Sequence, residues 1–260
     1  MASKETYYSK HKNKLGEQFP NSFKDNFSID TASQQEYIEG KVILIDKPLH
    51  WTSFDVVRKL RSLLSIKKIG HAGTLDPLAT GLLIVCTGKF TKKINEYMAR
   101  EKEYTGHFTL GAVTPTYDLE SEPEQLKDTS LVTEELLYAT AKKFIGEIDQ
   151  LPPMYSAIKK DGVPLYKLAR KGEEVELKPR KVVITNFMIT QINLPIIEFK
   201  VTCSTGTYIR SLANDLGAAL GCGAYLSSLC RTRIGEFTLN EAMIINDLVE
   251  SLKANFDQNG

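Results

Sequence analysis

The sequence predicts an α+β fold, a mixed and largely antiparallel sheet flanked by helices. Three observations predict it. Apolar runs of strand length recur along the chain, among them "GKVILIDKP", "GLLIVCTG", "RKVVITNFMITQI" and "IIEFKVTCST". Between them lie segments with apolar residues at helical spacing, as in "TYIRSLANDLGAALG". The strands come in runs broken by helices, the pattern of α+β domains.

Residues 1–39 are polar, without a clean period, and are expected to form a poorly ordered or loosely docked extension. Order should begin at "GKVILIDKP", a strand closed by Pro48. Ser53 is expected to cap a helix whose apolar stripe is Phe54, Val57, Leu60 and Leu64. "GHAGTLDP" reads as a glycine-punctuated loop, and "GLLIVCTG" as a buried strand. In "EYTGHFTLG" the period of two puts Tyr104, Phe108 and Leu110 on one face of a strand. "TEELLYATAKKFIG" is a helix from Thr133 as cap to Gly146. A turn at Asp161-Gly162 and a short basic helix follow, then two strands. Ile209, Leu212, Ala213, Leu216 and Leu220 mark an amphipathic helix. "AYLSSLC" is a last strand, and 243–254 a closing helix.

The 260 residues suffice for a substantial core, and 42% hydrophobic with 25% charged residues is ordinary for a globular protein. The N-terminus has no apolar h-region, and "LLIVC" is far shorter than the roughly 20 residues of a membrane span. A cytoplasmic protein without membrane association is expected. Cys86, Cys203, Cys222 and Cys230 show neither metal nor disulfide spacing, so buried or partly buried thiols are expected and no metal. The net charge of +1 hides segregation: ten Lys/Arg face three Asp/Glu between Arg58 and Lys102, whereas residues 112–150 carry nine acids and three bases. Such concentration suits a basic face for phosphates, and equally suits ordinary solvated helix surfaces.

Asp76 is the leading candidate for chemistry. An Asp before proline can simply set a turn, and His71 with Asp76 could be read as two metal ligands lacking further partners. Glycines 70, 73 and 81, with Ala72 and Ala79, open the backbone to close approach by a bulky substrate. A nucleophilic carboxylate must stay ionised in a water-poor site, which a guanidinium achieves against burial. Arg210, at the start of its helix, is the natural partner, or else a surface charge. Tyr104 could stack on a ligand ring, or serve as core.

"LIDKP…TSFDVV", "GHAGTLDPLATGLL", "KEYTGHFTLG", "PPMYSAIKKDGVPLYKLARKG" and "GTYIRSLANDLGAALGCGA" stand in the order of the motifs of the TruB family. The chain resembles that family, the tRNA pseudouridine-55 synthases, over roughly residues 40–237. The resemblance implies the pseudouridine synthase catalytic fold over 40–260, with an RNA-gripping insertion near 151–180. It implies isomerisation of uridine 55 in the T-loop of tRNA, by base flipping and an aspartate nucleophile, without cofactor. Asp76 inherits the nucleophile's place and Arg210 that of its partner. Tyr104 matches the tyrosine that stacks on the flipped ring, and His71 the histidine that fills space near the T-loop. Leu229 and Tyr208 match residues walling the uracil pocket. Lys159, Lys160, Lys167, Arg170 and Lys171 would grip phosphates. The expected partner is the tRNA T-arm, bound by a monomer with no protein partner.

The chain departs from the family pattern in four places. His50 stands where a glycine is usual, and Cys230 where an arginine is common. Too few residues follow Cys230 for the C-terminal PUA domain of many members, which is therefore not expected. Residues 1–39 have no counterpart. Two further readings keep the same residues: the same chemistry on another T-loop-like RNA, and a tRNA-folding chaperone. A glycosidase-like hydrolase lacks an evident second carboxylate.

Overall fold

The strand runs assemble into one nine-stranded sheet in the computed structural model, which describes residues 31–258 apart from 157 and 174. In chain order the described elements begin with α1 (Thr31–Glu39), β1 (Val42–Lys47), α2 (Ser53–Leu63), β2 (Ile69–Ala72) and β3 (Ala79–Thr87). A 3-10 turn, Gly88–Lys93, leads to α3 (Ile94–Ala99) and β4 (Lys102–Leu110). Then come α4 (Glu134–Lys142), β5 (Gly146–Gln150), the small hairpin β6 (Lys159–Lys160) and β7 (Val163–Pro164), and α5 (Leu165–Arg170). The chain closes with β8 (Arg180–Asn193), β9 (Ile196–Cys203), α6 (Ile209–Leu220), β10 (Ala224–Ile234), β11 (Phe237–Thr238) and α7 (Ile245–Gln258).

The sheet runs β1-β3-β10-β4-β9-β8-β5, with β2 on β3 and β11 on β10. Among the described strands of the sheet, β3 and β10 pair in parallel and the other strand pairs are antiparallel, so the sheet is mixed and largely antiparallel as the sequence predicts. β3 explains its own unbroken apolar run, because both its faces are covered. Leu83 and Val85 pack with α2, α7 and β1, while Leu82, Ile84 and Cys86 pack with Tyr97 and Ile234. Full burial of such a side chain contributes about 1.5–3 kcal/mol. A third cluster sets α4 and α6 against β4, β8, β9 and β10 through Phe108, Phe199, Leu137 and Leu212.

Close backbone approach fixes the parallel seam. Gly81 has φ +98°, and a Cβ there would stand 2.4 Å from the Arg231 carbonyl oxygen. The Asp161-Gly162 turn forms as expected, with both residues at positive φ between β6 and β7.

Four local expectations are corrected. The cap of α2 is Thr52, in a capping box with Asp55, because Ser53 already has helical geometry and turns its hydroxyl elsewhere. Phe54 is 58% exposed rather than part of the buried stripe, which Val56 supplies instead. The first three residues of the supposed loop, 70–72, belong to β2, since its backbone pairs with β3 from Ile69–Thr87 to Ala72–Ile84. Order begins before β1 rather than at it, because residues 31–39 form α1, which buries Tyr37; the rest of the extension, 1–30, lies outside the described residues. Among the described residues no helix is long and apolar enough to cross a membrane.

Candidate active site

The loop joining β2 to β3 carries Asp76, and three separate contacts hold it. The Ser53 hydroxyl at the start of α2 accepts from the Leu75 N–H at 2.8 Å and donates to the Leu75 carbonyl at 3.2 Å. The His50 N–H donates to the Pro77 carbonyl at 2.8 Å. From β10, the Arg231 guanidinium donates to the carbonyls of Gly73 (3.1 Å), Thr74 (3.5 Å) and Leu82 (2.8 Å). His50 itself sits at φ +66°, the left-handed region that a glycine adopts without strain. A loop so held presents its acid in one place.

Arg210, the second residue of α6, meets that acid. The helix start is fixed by buried Gln150 of β5, whose amide accepts from the Tyr208 N–H and donates to the Tyr208 carbonyl. Arg210 Nε then lies 2.9 Å from Asp76 Oδ2 and 3.5 Å from Asp118 Oδ2. Its remaining nitrogens donate to the carbonyls of Thr116 and Tyr155. The Arg210 side chain is 5% exposed and that of Asp76 40%, so one end of the pair is buried and the other faces solvent.

Asp76 opens into a cleft of about 560 Å³, lined also by Tyr104, Tyr208, Arg210 and Leu229. The sheet explains this convergence: Leu229 of β10 pairs with Ala79 of β3, and Tyr104 of β4 lies opposite Arg231 of β10. The fold thus brings together five of the six residues selected from sequence. His71 is the exception. It stands on β2 outside the cleft lining, its Nδ1 buried near the Gly73 backbone without a hydrogen bond of normal geometry. Burial, and secondarily Arg231, lower its pKa. Of the basic residues from the insertion, Arg170 lines the cleft; Lys159, Lys160, Lys167 and Lys171 are exposed.

Sequence reasoning missed four charged residues at the site. Asp118 is buried, and burial raises its pKa against the opposing pull of Arg210. It is placed by the Tyr117 carbonyl, which accepts from the Leu226 N–H of β10. Glu120 lines the cleft with its pKa raised to about 7 by burial, then by Asp118 and Asp76. Arg231 and Lys102 also reach the cleft from β10 and β4, both buried. The only sequence signal for any of them is the local excess of basic residues around Lys102.

A carboxylate fixed by a buried guanidinium, open to a cleft with a tyrosine ring and a leucine, can attack an electron-poor carbon of a planar-ringed substrate. Comparison with known proteins decides the family. Residues 61–209 match the model of the TruB family pseudouridylate synthase N-terminal domain, and 210–259 that of the tRNA pseudouridylate synthase B C-terminal domain. The chain belongs to the TruB family. It is accordingly an enzyme, an isomerase of the pseudouridylate synthase class. It is 56% identical over 226 residues to the tRNA pseudouridine synthase B of Flavobacterium johnsoniae, covering 84% of this chain and 99% of that one. With the protein of that name from Parabacteroides distasonis the identity is 49%, covering 85% and 96%. Among solved structures, a chain of a Cbf5-Nop10-Gar1 complex superposes with a TM-score of 0.66 at 32% identity. That match covers 84% of this chain and 56% of the other, so the TruB family chain described here spans little over half of it.

Proposed function

We propose that this protein isomerises uridine 55 in the T-loop of tRNA to pseudouridine, with Asp76 as the nucleophile acting on a flipped-out nucleoside. The observation that carries the reading is the Asp76–Arg210 pair at the mouth of the cleft. The names of the relatives, tRNA pseudouridine synthase B, support the choice of RNA.

Arg210 holds Asp76 through its Nε without filling the cleft, so an oxygen of Asp76 is left to attack C1′ of the ribose. A stacked uridine could not reach that oxygen, which is why the base must leave the helix. Tyr104 offers a ring face for the flipped base, and Leu229 and Tyr208 wall it. Holding the detached uracil against these groups excludes water, which would otherwise leave an abasic site. His71 would fill the space that flipped bases vacate, and the exposed lysines of the insertion would grip phosphates, giving affinity rather than sequence choice. The protein acts in this reading as a cytoplasmic monomer, with the T-arm as partner and no cofactor.

The test is pseudouridine mapping on an unmodified tRNA transcript, with wild type beside Asp76→Asn. Modification at position 55 by the wild type alone is expected. Conversion by Asp76→Asn at the wild-type rate would overturn the nucleophile assignment, and conversion by neither protein the function.

A further inference from the structure

Arg231 and Lys102 are cations in the wrong company for a purely structural role. Both are more than nine-tenths buried, and both line the cleft beside Tyr104. Among the described residues neither has a carboxylate at ion-pair distance. Lys102 donates to the carbonyls of Met98 and Arg100, and Arg231 to those of Gly73, Thr74 and Leu82. A guanidinium has five N–H donors and an ammonium three, so each group keeps donors beyond these contacts. Neutral donors would staple carbonyls equally well, whereas a buried charge without a counter-ion is costly. The two cations also oppose each other: burial first, then Arg231, lowers the Lys102 pKa to about 8. A site holding such charge in reserve favours a ligand that becomes negative during the reaction.

We propose that Arg231 and Lys102 form a cationic wall that stabilises the uracil anion released when the glycosidic bond breaks. The inference rests on the reading of function given above. In that reaction an Asp76 oxygen bonds to C1′ as the C1′–N1 bond breaks, and the electron pair stays on N1. The charge spreads over N1, O2 and O4 of the freed base. After the base turns, C5 bonds to C1′, the Asp76 ester bond breaks, and the C5 proton is passed through solvent to N1. Asp76 is returned unchanged, and nothing is oxidised or reduced. The wall acts on the interval in which uracil is detached and anionic, the interval that Arg210, engaged by Asp76 and Asp118, does not serve.

The test uses single-turnover kinetics on a tRNA transcript carrying uridine or 5-fluorouridine at the target position, following loss of the target nucleoside from RNA digests. Fluorine withdraws electrons and stabilises the uracil anion by itself, so a variant short of positive charge should suffer less on that substrate. Lys102→Met is expected to slow uridine conversion about 10²-fold and 5-fluorouridine conversion clearly less. Lys102→Arg and Arg231→Lys, which keep the charge, should retain more activity than Lys102→Met and Arg231→Gln. Equal losses on both substrates would assign the residues to bracing and overturn the proposal, as would no loss on either. A wild type that converts no uridine at all would overturn the function and this inference with it. Circular dichroism of each variant separates misfolding from a kinetic effect, and a folded Lys102→Met suffices to decide.

Discussion

The Nε of Arg210 stands 2.9 Å from an oxygen of Asp76, and the same nitrogen lies 3.5 Å from Asp118. One buried cation therefore serves two acids of opposite setting, one open to the cleft and one enclosed. Removing it leaves Asp118 buried without a counter-ion. Arg210→Met should lower the unfolding free energy by about 3–5 kcal/mol, read from the urea midpoint. Arg210→Lys keeps the charge but not the fork that also holds the Thr116 and Tyr155 carbonyls, so kcat should fall while the fold survives.

Asp118→Asn removes one of the two negative charges beside Arg210 and preserves the shape of the side chain. Binding of tRNA should be unchanged, because Asp118 is buried. The rate of conversion should fall, because Arg210 then keeps only one of its two carboxylate partners. Filter binding beside single-turnover kinetics separates the two quantities.

Glu120 gives a pH dependence with a definite sign. Its folded-state pKa is raised from 4.5 to about 7, so its contribution to stability is present below about 4.5 and lost as pH rises through about 7. Glu120→Gln should therefore gain on the wild type in Tm between pH 5 and pH 8. After discounting for solvent screening of a partly exposed group, the gain should be on the order of 1 kcal/mol. Equal differences at both pH values would disprove the linkage.

Ser53 is the contact that ties α2 to the loop of Asp76. Ser53→Ala leaves the buried Leu75 N–H without a partner, at a cost of roughly 1–3 kcal/mol in denaturant unfolding. The loop loosens as well, so kcat should decline more than tRNA affinity.

At Gly81 an alanine meets the Arg231 carbonyl and a left-handed backbone together. Gly81→Ala should cost roughly 2–4 kcal/mol. His50→Gly is the opposite case: it releases a positive φ and should be neutral or slightly stabilising by thermal melting.

What was legible in the sequence follows the range of the forces involved. The apolar run of β3, the stripe of α6 and the Asp161-Gly162 turn are local patterns, and each forms where its residues point. Asp76 and Arg210 were legible first as an acid among glycines and an arginine opening a helix, and then through flanking motifs that resemble a family. β2 was not legible, since "IGHA" has no strand pattern of its own and takes its shape from β3. Asp118 sits in "TPTYDLE" with no periodicity or charge signal; its significance comes entirely from Arg210, which only the fold brings near. Arg231 lies in the run Arg231-Thr232-Arg233, which looks like a solvated basic edge, and its burial depends on the parallel seam with β3.

The contact from Arg231 to Thr74 joins residues 157 apart in sequence. A chain emerging from the ribosome exposes the aspartate loop long before the strand that braces it has been made. Until β10 arrives, the acid has neither its arginine-tied loop nor its pocket wall. A product cut short before β10 is therefore expected to lack the cleft altogether rather than to hold a weakened one.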